Sequence, residues 1–249
     1  MPRVEEWIAY AEPDVLCMQE TKLADAAFPG LAFAALGYDS AHHGEGRWNG
    51  VAIISRVGIE KVQYGFADGI SAGPAPEEAR LITAVCAGVQ ISSVYVPNGR
   101  SVGSEHYEFK LAWLAAMRKH LDATADPDGE VAVCGDFNIA PTDTDLYDPA
   151  KFVGATHVSP EERLALEQIM DFGLEDAFRR IYPDEGRLFT WWDYRAGDFH
   201  SGRGMRIDLA LMSHPLAERV RYGLIDRNAR KGKLPSDHAP MLIDVDVEI

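Results

Sequence analysis

The chain has 249 residues, 47% of them apolar, and a formal net charge of −15. That length and composition suit one domain, residues 1–249, with a sizeable core, and no run reaches the roughly 18 apolar residues of a membrane span. Met1-Pro2-Arg3-Val4-Glu5-Glu6-Trp7 has no apolar stretch of the secretory type, and Cys17, Cys86 and Cys134 sit singly in strand-like runs without zinc spacing, so buried free thiols in a cytoplasmic protein are expected.

Val4, Trp7, Ile8 and Ala11 fall on one helical face, which Pro13 ends. Strands are expected over 14–18, 50–55, 81–87 and 89–96, the last closed by the turn Pro97-Asn98-Gly99. Ser104 is placed to cap a helix running to about Leu121, with Phe109, Trp113, Ala116, Met117 and His120 on one face. A strand at 131–134 ends at Gly135-Asp136. Ser159-Pro160-Glu161-Glu162 reads as a capping box with proline at the first helical position, opening a helix to about Phe172. Strands follow at 207–212 and at the carboxyl end, where Met241, Ile243, Val245, Val247 and Ile249 alternate with acids. Segments 65–80, 122–129, 140–158 and 195–206 read as long polar loops.

The acidic balance argues against a nucleic-acid partner, but its distribution softens that. Residues 187–233 hold ten Lys/Arg against five Asp/Glu. A phosphate backbone responds to the local potential, so a basic rim on an acidic body still attracts it; a solvated loop that happens to be basic explains the same charges.

Several strand-like runs end in groups with chemistry. Gln19-Glu20-Thr21 puts a carboxylate past the first strand. Tyr95 precedes the Asn98 turn. Gly135-Asp136-Phe137-Asn138 allows a sharp turn and sets an acid and an amide at i and i+2. Arg206-Ile207-Asp208 opens a strand, and Ser236-Asp237-His238-Ala239-Pro240 presents an acid and an imidazole before another. Each alone has a plain structural reading: a capping threonine, an Asn-Gly turn, an Asx-rich strand end, a surface ion pair. Trp191, Trp192, Tyr194 and Arg195 would pass for core aromatics with one surface base. Together they supply hard oxygen ligands, an imidazole and amide donors, the kit for hydrolysing a phosphodiester.

In order and spacing these motifs resemble exonuclease III and the abasic-site endonucleases of the endonuclease/exonuclease/phosphatase superfamily, from Val4 to Val247. The resemblance implies an α/β fold, a four-layer α/β sandwich of two packed, mostly antiparallel sheets flanked by helices. It implies a Mg²⁺-dependent DNA repair nuclease, with Mn²⁺ as a substitute, that cuts 5′ to abasic sites and degrades duplex DNA from 3′ ends as a cytoplasmic monomer. Glu20 would be the principal metal ligand, with Asp237 or Asp208 near it. Asp136 would position or deprotonate the attacking water, Asp208 would orient His238, and Tyr95 and Asn138 would face the phosphate. Asn98, Trp191, Arg195, Arg203 and Arg206 would contact DNA. Two alternatives stay open: a phosphodiesterase of the same superfamily acting on a small molecule or lipid, and a DNA-binding protein with weakened catalysis. The second follows from one departure. The family begins with a strand carrying a Trp-Asn-Val/Ile-Asn motif, and this sequence starts at the following helix, so an inner strand and its asparagine are expected to be missing, with open sheet edges near 14–18 or 241–249.

Overall fold

The computed structural model describes residues 2–73 and 78–247. Its strands are β1 (Val15–Gln19), β2 (Asp39–His43), β3 (Val51–Ser55), β4 (Glu60–Tyr64), β5 (Leu81–Cys86), β6 (Val89–Tyr95), β7 (Val131–Asp136), β8 (Leu174–Asp176), β9 (Asp208–Ser213), β10 (Val220–Ile225) and β11 (Met241–Val245). The helices that carry the argument are α1 (Pro2–Ala11), α2 (Gly30–Ala35), α3 (Glu105–Thr124), α4 (Pro160–Met170) and α5 (Ala177–Ile181). Ile249 of the carboxyl-terminal run, and residues 74–77 of the loop expected at 65–80, lie outside the described residues.

Six strands form one mixed sheet in the order β4-β5-β6-β7-β9-β8, in which only β6 and β7 run parallel. A parallel pair needs a long crossover, and α3 lies on it. Alternation along the strands divides the side chains between two faces. Leu81, Val94, Val131, Val133, Leu209 and Leu211 meet Trp113, Leu114, Met117, Leu166 and Ile169 of α3 and α4. Ile82, Ala84, Ala132, Cys134, Ala210 and Met212 face the opposite way, toward the second layer of strands.

That second layer comes in two blocks, β1-β3-β2 and β10-β11. Both cover the same face of the large sheet and share Ile91 beneath them. Among the described residues β1 pairs only with β3, and β11 only with β10, so both are edge strands and their apolar side chains are half-buried. The outer layer is α1 and α2. Ile8, Val4 and Trp7 pack on Leu16, Met18, Ala52, Ile54 and Phe33. The same helix reaches the loop after β10: Trp7 Nε1 donates to Asp226 Oδ2 at 3.0 Å, and Arg3 donates to the carbonyls of Ala229 and Lys231, each at 2.7 Å. The order of layers is thus helix, sheet, divided sheet, helix. All three cysteines are free, Cys86 buried and Cys17 and Cys134 half-buried.

Caps fix α3 and α4 where the sequence puts them. Ser104 Oγ accepts the Tyr107 amide, and Ser159 and Glu162 close a reciprocal capping box. Glu162 does more than cap. With Lys110 of α3 it forms an ion pair, Nζ to Oε1 at 2.5 Å, with both side chains fully buried. Lys110 also donates to the Asn138 carbonyl at 2.7 Å, which ties the helix layer to the turn after β7.

Breaking a buried pair on one side costs about 3–5 kcal/mol, whereas apolar replacement of both partners costs far less. Glu162→Gln should therefore lower the unfolding free energy in urea by about that amount, and Lys110→Met with Glu162→Leu should recover only part of it, because the His157 and Ser159 amides still lose their acceptor.

Candidate active site

The register of the large sheet builds the site. Tyr95 on β6 pairs with Asp136 on β7, and Asp136 pairs with Asp208 on β9. Three candidate groups thus stand in one row across three adjacent strands, all on the face turned to the second layer. Gly135 permits this closeness. Its φ is +145°, and a Cβ there would lie 2.1 Å from the Val94 carbonyl oxygen.

Past the row the chain turns at Asn138, whose φ of +51° is rare outside glycine but tolerated by asparagine. The Asn138 amide donates to Asp136 Oδ1 at 2.8 Å, and its side-chain Nδ2 donates to Asp136 Oδ2 and to the Val96 carbonyl, both at 3.0 Å. Asn138 Oδ1 accepts from Asn98 at 3.1 Å, so the two amides sit side by side. Below, the Asn138 carbonyl meets His157 Nδ1 as well as Lys110.

His238 closes the cluster. Its Nδ1 lies 2.8 Å from Asp208 Oδ2, and its Nε2 lies 4.0 Å from Asp136 Oδ2. Burial opposes the charged ring, but Asp208, then Asp136 and Asp237, outweigh it and push His238 up to about 10. Asp136 is raised to about 7, first by burial and then by Asp208, against the lowering pull of His238. One imidazolium therefore serves two carboxylates.

Glu20 stands opposite, in the turn after β1. The Tyr95 hydroxyl donates to Glu20 Oε1 at 2.5 Å, and Lys22 Nζ is 2.6 Å from Oε2. Burial opposes the Glu20 charge, yet Lys22 and Tyr95 hold its carboxyl below the ordinary value. Tyr95 is pushed up by burial and by Glu20, so it stays a donor. The Arg80 guanidinium lies 4.7 Å from the centre of the Tyr95 ring.

Asp237 is attached through Trp191, whose Nε1 donates to its Oδ2 at 3.1 Å. The segment around Trp191 is clamped on both sides. The amides of Trp191 and Trp192 bond to the carbonyls of Met205 and Asp237, and the Ala239 amide bonds to Thr190. Trp192 is fully buried with Phe189 and Ala239, while Trp191 stays half-buried next to His238.

The structure corrects the expected DNA contacts at Arg206. Its side chain is fully buried, bonded to Asp145 at 2.6 Å and to Asp176 at 2.7 Å, so it holds loops together and has no surface to offer. The basic segment is also less free than its composition suggests. Arg203 pairs with Asp198, Arg219 with Glu130 and Arg221 with Asp246, and Arg230 is buried against Trp192, Tyr194 and Phe199. Arg195 is held more loosely: its Nε lies 3.9 Å from Asp193 Oδ1, and 91% of its side chain is exposed near the Trp191 segment.

Sequence reasoning missed Arg80, Lys110, Glu162 in its second role, His157 and Asp145. Only Lys110 left a signal, a charge on the otherwise apolar face of α3.

The fold and the cluster define the class: a four-layer α/β sandwich with acids, an amide and an imidazole at its strand ends. The chain belongs to the endonuclease/exonuclease/phosphatase family, whose sequence profile matches residues 2–238, and within it to the exonuclease III and AP endonuclease branch. It is 34% identical to exodeoxyribonuclease III of Haemophilus influenzae, over 96% of this chain and 92% of that one. An AP endonuclease from Archaeoglobus fulgidus superposes with a TM-score of 0.92 at 37% identity, over 98% of this chain and 93% of that one. The 3′ phosphatase NExo from Neisseria, solved bound to a product DNA hairpin, gives 0.91 at 34% identity, over 98% and 93%.

The charge on His238 is directly measurable. Because its folded value lies above the ordinary 6.5, the stability it adds is complete below that pH and is lost as pH rises through about 10. In the metal-free protein the His238 Cε1 proton signal should titrate near 10, and in Asp208→Asn it should titrate much lower.

Proposed function

We propose that this protein is a Mg²⁺-dependent DNA repair nuclease of the exodeoxyribonuclease III type, acting as a monomer on duplex DNA. It would cut 5′ to abasic sites and degrade 3′ ends. The observation that carries the reading is the Asp136–His238–Asp208 cluster facing Glu20 and Tyr95. The relatives named above, one of them solved with DNA, support the substrate class.

A divalent metal fits the residues present. Among the described residues no three His, Cys, Asp or Glu side chains converge as a cage, but Mg²⁺ keeps several waters and binds through one or two carboxylates. Glu20 already holds a cation there, the Lys22 ammonium. Glu20, with Asp237 or Asp208 nearby, would hold the metal, which when bound neutralises phosphate charge and the departing 3′ oxygen.

The chain's own groups do the rest. Asp136, held by two Asn138 donors, takes the proton of a water aligned with the phosphorus. Its raised value of about 7 makes it a stronger base than an ordinary carboxylate. His238 stays charged and stabilises the oxygens that gain negative charge in the transition state. Asp208 keeps it charged and orients it. Tyr95 and Asn138 add neutral donors. Between pH of about 7 and about 10 Asp136 is ionised and His238 is charged, so activity should form a plateau between those limits. At the rim, Trp191 offers a flat face for an extruded, base-free sugar, and Arg195 and Arg203 lie on the side where a duplex would approach.

An abasic duplex incubated with Mg²⁺ should be cut 5′ to the lesion, and EDTA should stop the reaction. Turnover of an inositol phosphate or sphingomyelin in preference to DNA would overturn the substrate assignment. DNA binding without cleavage would overturn the catalytic one. His238→Asn should slow cleavage by about 10²–10⁴-fold, and adding Asp208→Asn should cost little more, since the pair acts as a unit.

Arg195→Ala tests the DNA face separately. One lost phosphate contact should make the salt dependence of duplex binding shallower by about one unit. An unchanged slope would move the duplex elsewhere on the surface.

A further inference from the structure

The turn that carries Glu20 is held in an uncommon shape. Glu20 and Lys22 have φ of +52° and +53°, a region that side chains other than glycine and asparagine rarely occupy. Such a conformation persists only where its surroundings over-determine it. Two main-chain bonds contribute: the Thr21 amide donates to the Gly50 carbonyl at 3.1 Å, and the Lys22 amide donates to that of Asn49 at 3.0 Å. Between them lies the Thr21 side chain, and its environment is unusually complete.

Thr21 Oγ1 is 2.8 Å from His42 Nε2, on β2. The other ring nitrogen, Nδ1, is 2.8 Å from Asp25 Oδ1, at an angle short of a full hydrogen bond, so that contact is mainly electrostatic. Asp25 Oδ1 also accepts the Gly44 amide at 2.8 Å. The His42 side chain is only 5% exposed and stacks on Phe28, ring centres 4.1 Å apart and planes 13° from parallel. A carboxylate beside Nδ1 favours the tautomer with its proton there, which leaves Nε2 an acceptor. The Thr21 hydroxyl must then donate, and its rotor is fixed. Burial lowers His42 from its ordinary value despite Asp25, which keeps the ring neutral and Nε2 free to accept.

We infer that Asp25, His42 and Thr21 form a positioning relay that sets the carboxylate of Glu20, and through it the affinity of the site for a divalent cation. The inference rests on the proposed role of Glu20. Although the order acid, imidazole, hydroxyl is that of hydrolase triads, Thr21 is not placed as a nucleophile. Its oxygen is packed against main chain, since a Cβ on Gly50 would lie 2.1 Å from it. The relay acts through the backbone: if the hydroxyl loses its acceptor, the two main-chain bonds to Gly50 and Asn49 are left to hold the peptide between two left-handed residues, and Glu20 shifts from its place opposite Asp136 and His238.

The test is calorimetric titration of Mn²⁺ into the full chain without DNA, so it does not depend on turnover. Loss of a group that orients a ligand weakens metal binding by about 10–100-fold. Thr21→Val and His42→Phe should each show a loss in that range, with the thermal midpoint of Thr21→Val close to that of the native chain. Thr21→Ser, which keeps the hydroxyl, should bind as the native chain does. Glu20→Ala should abolish binding. Native-like Mn²⁺ affinity in Thr21→Val, with binding lost in Glu20→Ala, would overturn the relay. Equal losses in Thr21→Ser and Thr21→Val would overturn it too, because packing alone would then be responsible. Undiminished binding in Glu20→Ala would instead overturn the assignment of Glu20. If His42→Phe does not fold, the comparison of Thr21→Val with Thr21→Ser decides the matter.

Discussion

Two carboxylates, Asp136 and Asp208, face each other in register across β7 and β9, and most of the site follows from keeping them there. Like charges directly opposite in a sheet repel, and here one of them is almost fully buried. The structure answers with a single imidazolium bonded to Asp208 and within 4.0 Å of Asp136. That arrangement explains both perturbed groups at once. His238 holds its proton far into the alkaline range because two acids share it, and Asp136 is left partly uncompensated and so becomes a base of near-neutral strength. It also explains why the Trp191–Trp192 segment is clamped between Met205 and Asp237. A loop that carries the imidazolium bonded to Asp208 and close to buried Asp136 has to be rigid, and buried Trp192 supplies the anchor.

A second buried charge system supports the first from the opposite side of the large sheet. Lys110 and Glu162 neutralise one another; Lys110 also donates to the Asn138 carbonyl, and Glu162 accepts from the His157 amide and the hydroxyls of Thr156 and Ser159. Asn138 is thereby held at both ends. Its carbonyl is gripped from the helix layer, and its amide and side chain grip Asp136. A third system, Arg206 with Asp145 and Asp176, fastens the loop before β9. In each case ionic groups that would be weak at the surface are used inside, where a missing partner is costly and the geometry is therefore narrow.

Much of this was legible in the sequence, for physical reasons that differ by element. The central strands of the large sheet, β5, β6, β7 and β9, announce themselves because both faces are covered, which requires continuous apolar runs. Ser104 and Ser159 mark helix starts because unsatisfied amides there demand an acceptor. The short strands β2, β4, β8 and β10 left no such mark: β2 reads Asp-Ser-Ala-His-His and β4 Glu-Lys-Val-Gln-Tyr, and pairing alone makes them strands. The acids, amide and histidine of the site stood out by following strand ends. Arg206 misled because a sequence shows a charge but not its partners, here acids 61 and 30 residues away. Open edges are expected from the sequence near residues 14–18 or 241–249, and among the described residues β1 and β11 each pair on one side alone.

The row formed by Tyr95, Asp136 and Asp208 has a consequence for how this chain can change in length. Side chains alternate along a strand, so a one-residue insertion inside β6, β7 or β9 would turn every later group to the wrong face. A two-residue insertion would restore the face but shift one member of the row by two positions, about 7 Å along the sheet. A bulge takes up a single extra residue only by opening the ladder and redirecting the side chains beside it, which near this row are the site's own groups. The loop over 140–158 carries no such rule in its exposed stretch 149–154, although Asp145, Thr156 and His157 on either side of that stretch are fixed by buried hydrogen bonds. Changes in length are therefore least disruptive there and most disruptive within the strands, and a fusion or an added recognition loop belongs in that stretch.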